Sequence, residues 1–313
     1  MPKKNSKISS IPVEGELVPQ NNTEVIHTLT PNSNNTVQPV AMMRLGLFVP
    51  TLKSTAHGKK NSVSGIDASR ELTRLQLAKS EGYTNIRIIG PRLDMDTDFK
   101  TWIGIVRAFH KYKNTSGLIR LKFSEFASLC GYSSKRLDKA LRTRLADSLL
   151  KITSTTLSFS DSEMKAQYNT HLVQKSYYNE TENVVELQKD SSLDDLYRID
   201  HTVLLHLRVI RELPRRETAQ ALYTFLESLP ATPAPVSFKR MRDRLNLTAS
   251  VDSQNQTIRK ALKHLNEVGY LDYTEFRQGR VPKIMIHSRM PKLGKVFESE
   301  EVPEEEGEGE GEE

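Results

Sequence analysis

Residues 253–265 read Ser253-Gln254-Asn255-Gln256-Thr257-Ile258-Arg259-Lys260-Ala261-Leu262-Lys263-His264-Leu265. Ile258, Ala261, Leu262 and Leu265 recur at the helical period and mark a core-facing stripe. Gln256, Arg259, Lys260 and Lys263 keep the same spacing on the opposite side, where donors suit phosphates and base edges. Asp252 or Ser253 can cap the start, and Gly269 can end the helix, expected over 253–268, in a left-handed conformation. Upstream, residues 238–245 form a short basic helix that includes Lys239 and Arg240, closed by a turn over 246–250. Downstream, residues 270–276 alternate like a strand, with Leu271 and Tyr273, extended by Glu275, on one side. Gln278-Gly279 makes a tight turn between Arg277 and Arg280, and Ile284, Ile286 and Ser288 lie on a returning strand. Helix, turn, helix and basic-tipped hairpin is the order of a winged helix-turn-helix. The second helix of such a unit enters the major groove, and the hairpin reaches a neighbouring groove or phosphates. A solvated helix on a hairpin also exposes Lys and Arg; the gathering of donors on one face favours DNA.

Charge supports that reading. The chain has 313 residues, with 45 Lys and Arg against 39 Asp and Glu, a net charge of +6. That figure hides a segregation: residues 298–313 hold ten Glu and no base, leaving 45 bases against 29 acids, or +16, in residues 1–297. So basic a body suits a polyanionic partner, and a solvated acidic tail can compete for the same surface. The apolar content of 37% is low and implies segments outside any packed core. A single cysteine, Cys130, excludes an intramolecular disulfide framework and fits a reducing cytoplasm, with a small buried helix residue as its expected role. No apolar run approaches a membrane span, and Lys3, Lys4 and Lys7 precede no hydrophobic signal core.

The preceding part of the chain repeats the same order. Residues 1–31, rich in Ser, Asn, Pro and Thr, read as a disordered arm. A compact apolar segment follows over 40–49, then a mobile loop over 51–65, a helix over 67–79 capped by Asp67, and a strand over 83–89. A helix over 99–112 places Trp102, Ile103, Val106 and Phe109 at core spacing, and a turn over 114–117 leads to a strand over 118–123. After a short helix over 124–130 comes a long basic helix over 135–150. There Leu137, Leu141, Leu145 and Leu149 form the apolar stripe, and Lys135, Arg136, Lys139 and Arg142 share the other side. Strands are expected over 155–160, 168–177 and 184–187. Residues 190–212 join this unit to a helix over 216–229. The fold class is therefore α+β: two tandem winged helix-turn-helix domains, 32–212 and 213–293, between a disordered arm and an acidic tail over 294–313.

Chemistry of other kinds finds little support. Asp94, Asp96 and Asp98 could supply oxygen ligands, but Ile105 stands where a calcium loop needs its bidentate Glu, and no glycine makes the sharp turn. Capping by Thr97 or Asp98 and a favourable helix dipole explain the acids better. There is no P-loop, no zinc spacing and no histidine pair of the kind a replication nickase uses. The expectation is a protein without catalysis, cofactor or metal.

Several long strings resemble the RepA replication initiators of low-copy phage-type and F-type plasmids. They are Asn32-Ser33-Asn34-Asn35-Thr36-Val37-Gln38-Pro39-Val40-Ala41, Gly90-Pro91-Arg92-Leu93-Asp94-Met95-Asp96-Thr97-Asp98-Phe99-Lys100-Thr101-Trp102-Ile103-Gly104, and Tyr223-Thr224-Phe225-Leu226-Glu227-Ser228-Leu229-Pro230. Gly269-Tyr270-Leu271-Asp272 and residues 281–293, with His287-Ser288-Arg289, continue the match. The resemblance spans residues 32–293 and implies two winged helices that bind repeated sites (iterons) in a plasmid origin. Carried over by matching element, the principal reader is the helix over 253–268, on which Ser253, Gln256, Arg259, Lys260 and Lys263 are the candidate DNA contacts, with Lys239, Arg240, Arg277 and Arg280 around them. A second reader falls on Lys135, Arg136, Lys139 and Arg142. The resemblance also implies a homodimer inactive for initiation, repression of its own promoter, and work with the host initiator DnaA, the replicative helicase and chaperones. A winged-helix repressor without a replication role is the alternative; tandem sites in an AT-rich region beside the gene would separate the two.

The tail generates a prediction. Tethered beside a basic body, its ten Glu act at an effective concentration on the order of millimolar. They compete with random DNA, bound mostly through phosphates, more than with a specific site. Truncation after Lys295 is expected to raise affinity for random duplex clearly and for a specific site less, with the difference shrinking at higher salt. Titrating both proteins against the two duplexes at two salt concentrations checks this; identical random-DNA affinities at low salt would reduce the tail to a solubility feature.

Overall fold

The structure is a computed structural model that describes residues 31–51, 86–112, 118–160 and 167–289. The arm (Pro31 apart), the loop over 51–65 (Thr51 apart), the helix over 67–79, the turn over 114–117 and the acidic tail lie outside the described residues, as do residues 83–85 of one expected strand.

The C-terminal unit matches its sequence pattern closely. Helix α7 (Glu217–Glu227) buries Ala219, Leu222, Tyr223 and Leu226. Two residues of β11 (Val236–Ser237) lead into α8 (Phe238–Leu245), where the Ser237 side chain accepts from the Arg240 amide. Asn246, left-handed at φ 48°, ends α8. Helix α9 (Val251–Glu267) buries Ile258, Ala261, Leu262 and Leu265. Gly269, at φ +78°, closes it: its amide donates to Asn266 O at 2.9 Å and the Tyr270 amide to Leu265 O at 3.0 Å, the pair of bonds that defines a Schellman end. Strands β12 (Leu271–Gln278) and β13 (Val281–Arg289) pair antiparallel, and β11 pairs with β13, giving the order β11-β13-β12. Arg289 donates to the carbonyls of Leu226, Leu229 and Pro230 at 2.6, 3.1 and 2.8 Å, so the end of the hairpin satisfies the C-terminus of α7.

The N-terminal part is more interleaved than its sequence suggests. It opens with β1 (Asn35–Pro39), α1 (Val40–Arg44) and β2 (Phe48–Val49), followed by β3 (Ile86–Ile89), β4 (Leu93–Asp94) and α2 (Asp98–Lys111). Next come β5 (Leu118–Lys122), α3 (Phe123–Leu129) and α4 (Lys139–Thr153). Strands β6 (Thr156–Ser160), β7 (Gln167–His171), β8 (Lys175–Asn179) and β9 (Val184–Gln188) complete this part. The strand expected over 168–177 is two strands: β7 joins the sheet β3-β6-β7, and β8 joins β5-β9-β8. Adjacent Leu172 and Val173 are both fully buried, which an alternating strand cannot do, so the chain leaves one sheet there for the other. The joining region is likewise structured, as α5 (Ser192–Ile199), β10 (Thr202–His206) and α6 (Leu207–Arg211). Strand β10 pairs antiparallel with β1, from Asn35 opposite His206 to Pro39 opposite Thr202. Trp102 of α2 donates to Gln38 of β1 at 2.8 Å inside the core. Cys130 is buried, and burial pushes its thiol up.

One apolar cluster runs through both parts, from Ala41 to Ile284. Arg244 of α8 lies fully buried at the join. Its guanidinium donates to Met43 O, to Phe48 O at 3.1 Å and to Thr224 Oγ1 at 3.3 Å. Arg92 adds a second tie, with Pro50 O at 2.6 Å and Asn246 O at 3.2 Å, and Arg44 a third, to Ser228 O at 2.7 Å. Gly46, at φ +70°, lets the turn after α1 approach so closely that a Cβ there would stand 2.6 Å from Arg244 O. Arg244→Ala is expected to lower the unfolding free energy by about 3 kcal/mol, because it opens a cavity and strands buried carbonyls. Arg244→Lys should recover only part, since one ammonium cannot span the same acceptors. Urea denaturation of the three proteins measures both.

Candidate nucleic-acid interface

Helix α9 starts two residues earlier than expected, at Val251. Ser250 is the cap, its side chain accepting from the Ser253 amide at 3.5 Å; neither Asp252 nor Ser253 serves. The Gln254 amide group reaches back to Leu247 O at 3.2 Å and Ala249 O at 2.5 Å, and folds the turn onto the helix. Arg242 of α8 donates to Asn255 at 2.6 Å, tying the two helices together. With one face fixed on the core, Ser253, Gln256, Lys260 and Lys263 are left exposed on the other. Lys263 lies 3.8 Å from Glu267, and Lys239 on α8 lies 2.7 Å from Asp243. Arg240 stacks 5.3 Å over the Phe225 ring.

Arg259 stands apart from this group. Its Nε lies 3.0 Å from both Glu275 oxygens and its Nη2 2.7 Å from Oε1, while the guanidinium stacks 5.1 Å over Phe238. The Glu275 bonds raise the Arg259 pKa still further. Sequence reading placed Glu275 only as a strand residue and missed its partner; Arg259 and the inner face of the hairpin meet through tertiary packing alone. Arg277 and Arg280 are exposed near the hairpin tip. The two-residue loop is Gly279-Arg280, because Gln278 still pairs with Val281, so the turn lies one residue later than expected.

The other basic group is split. The expected helix over 135–150 is broken: Lys135 and Arg136 lie on a short 3-10 turn (Ser134–Arg136), and α4 starts only at Lys139. Asp138 causes the break, since its carboxylate accepts from the Leu141 amide at 2.7 Å as the cap of α4. Lys135 and Lys139 are exposed. Arg142 instead turns inward, 2.7 Å from Asn183 Oδ1 and 4.4 Å over the Phe123 ring, and holds the β8–β9 turn to α4.

Comparison with known proteins gives this geometry its context. Residues 66–227 match the family described as Initiator Replication protein, WH1. The chain is 54% identical over 268 residues to RepFIB replication protein A of Escherichia coli, covering 85% of this chain and 82% of that one. It is 54% identical over 271 residues to Replication protein RepA of Salmonella typhi (87% and 77%), and 48% identical over 280 residues to Protein RepA of Escherichia coli (89% and 96%). The chain belongs to the plasmid replication initiator family. Among solved structures, domain 2 and domain 3 of RctB superpose on 82% of the initiator and 99% of that chain, at 12% identity and a TM-score of 0.47. Among the initiator's described residues, no helix is long and apolar enough to cross a membrane.

In the initiator the Asp94, Asp96 and Asp98 string caps and braces α2. Asp94, not Thr97 or Asp98, is the capping group: its Oδ1 accepts from the amides of Thr97 and Asp98 at 2.7 and 3.2 Å. Lys151 of α4 bonds Asp98 and lies 3.3 Å from Asp94, and Lys100 lies 3.1 Å from Asp96. Among the described residues, no group of three or more His, Cys, Asp or Glu is placed to hold a metal. Burial, then the Asp94 charge, push the Asp98 carboxyl up to about 6. The folded state thus holds this proton more tightly than the unfolded chain, so its contribution is present at low pH and is lost as pH rises through about 6. Wild type is expected to lose stability relative to Asp98→Asn between about pH 4 and about pH 7, which urea denaturation at those two values measures.

Proposed function

We propose that the initiator binds repeated duplex sites in a plasmid origin as a monomer, through two winged helix-turn-helix modules read from residues 32–212 and 213–293. One observation carries the reading: the exposed face of α9 with Ser253, Gln256, Lys260 and Lys263, opposite a fully buried stripe and beside the Arg277 and Arg280 hairpin tip. A helix so held can enter the major groove, and the tip can reach phosphates. Lys239 and Arg240 on α8 lie where a first helix crosses the backbone. Lys135, Arg136 and Lys139 of the first module contact the adjacent part of the repeat, or else flank a dimer surface.

In this reading binding, not hydrolysis, supplies the free energy. Neighbouring monomers strain an AT-rich segment, host factors including the initiator DnaA complete opening and load the replicative helicase, and chaperones convert dimer to monomer. The initiator also forms a homodimer inactive for initiation, and it represses its own promoter. The working compartment is the bacterial cytoplasm.

Footprinting the DNA flanking the gene tests the proposal; protection of tandem repeats supports it, and protection of a single operator favours a repressor. On the protected sequence, Gln256→Ala and Arg259→Ala should weaken specific binding by about 1–3 kcal/mol each while sparing random duplex. Lys239→Ala should weaken both duplexes alike, reducing the salt slope by about one. An unchanged ratio of specific to random affinity in Arg259→Ala would remove that residue from base reading.

A further inference from the structure

The Arg259–Glu275 pair joins α9 to the inner face of the hairpin. The hairpin is already held by buried Tyr270, Leu271 and Ile284, so the fold does not need an additional surface pair. An exposed ion pair of this kind contributes little to stability. Its geometry, however, is restrictive. The carboxylate takes the Nε–H and one Nη2–H, and Phe238 covers one face of the guanidinium at 5.1 Å. Of the five N–H donors of arginine, three remain, two on Nη1 and one on Nη2. Two of them, one on each terminal nitrogen, lie along the outer edge of a plane whose tilt is fixed by Phe238 and whose rotation is fixed by Glu275; the third points back on the Cδ side. Arg259 is still 42% exposed, so that edge is open to a ligand.

Two kinds of DNA acceptor would meet this edge differently. A phosphate is drawn by net charge and accepts from almost any direction, and the charge of Arg259 is cancelled by Glu275 at 2.7 Å. Guanine O6 and N7 are neutral acceptors side by side, and they reward two donors held in the right plane. We propose that Glu275 is a specificity-determining residue: its carboxylate positions Arg259 for a guanine edge and withholds its charge from phosphates. Glu275 itself touches no base in this scheme and acts through Arg259. The proposal rests on the reading of α9 as the DNA reader.

The test uses the full-length protein, a duplex it selects from a randomised pool, and a shuffled duplex of the same composition. Glu275→Gln keeps the shape and removes the charge. It should bind shuffled duplex several-fold more tightly, lower the selected-to-shuffled ratio by about tenfold and steepen the salt dependence by about one phosphate. Replacing guanines of the selected duplex one at a time by 7-deazaguanine, which lacks the N7 acceptor, should reveal a position that matters to wild type. That position should matter less to Glu275→Gln and not at all to Arg259→Ala. If Arg259→Ala leaves the ratio unchanged, the reading of this residue on α9 fails and the proposal falls with it. If Arg259→Ala lowers the ratio but Glu275→Gln changes neither ratio nor salt slope, only the role of Glu275 is overturned. Equal weakening of both duplexes by Glu275→Gln, with a lower unfolding temperature, would make the pair structural and overturn it as well.

Discussion

The buried guanidinium of Arg244 constrains the molecule more than any other single group. A charge fully removed from water is expensive, and arginine cannot shed its proton to escape that expense. It is tolerable only where fixed acceptors surround it, here the carbonyls of Met43 and Phe48 and the hydroxyl of Thr224. Those acceptors come from the end of α1, from β2 and from α7, so α8 can sit in one place only. Such a group is weak evidence of stability, since an apolar residue of similar size could be worth as much. What it supplies is a fixed relation between the two halves of the chain.

That relation reaches α9 through short steps. Arg92 holds the carbonyl of Asn246, the residue on which α8 ends. Arg242 holds Asn255, and Gln254 grips the turn between the helices. Tyr270, just past the Schellman end, packs edge-on against Tyr223 at 4.8 Å and donates to Glu227 at 2.7 Å. Both ends of α9 are therefore positioned by α7 and α8, which are in turn held by α1, the turn after it and β2. A surface preorganised in this way loses little conformational freedom on binding a ligand.

Much of this was legible in the sequence wherever periodicity and turn chemistry carry the information. The stripe Ile258, Ala261, Leu262, Leu265, the stop at Gly269 and the boundaries of α8 all follow from spacing and backbone preference. What was hidden depends on partners distant in sequence. Arg244 looks like one more surface cation in a basic helix, although it shares the buried face with Met241 and Leu245, three residues and one residue away. The break at Leu172-Val173 needs two sheets to be known at once. Asp138 is a cap rather than a helix residue because of local chemistry, and that one residue removes Lys135 and Arg136 from the face on which periodicity had put them. Arg142, at the right spacing for a donor face, is claimed by Asn183 across 41 positions of sequence.

The same distinction orders the charges around α9. Lys239–Asp243 and Lys263–Glu267 are pairs four residues apart with the cation first, the less favourable order on a helix, and their lysines are 73% and 76% exposed. Such pairs are worth a few tenths of a kcal/mol at most and are exchanged readily for a phosphate. Among the described residues, Lys260, Arg277 and Arg280 have no carboxylate partner at all. The outer surface is thus generous to any polyanion. Arg259 is the exception, held by two bonds from a different element and by an aromatic face. A protein that only needed affinity for DNA would gain by leaving that guanidinium as free as Lys260. Holding it against a carboxylate makes sense where discrimination between sequences matters more than attraction to all of them.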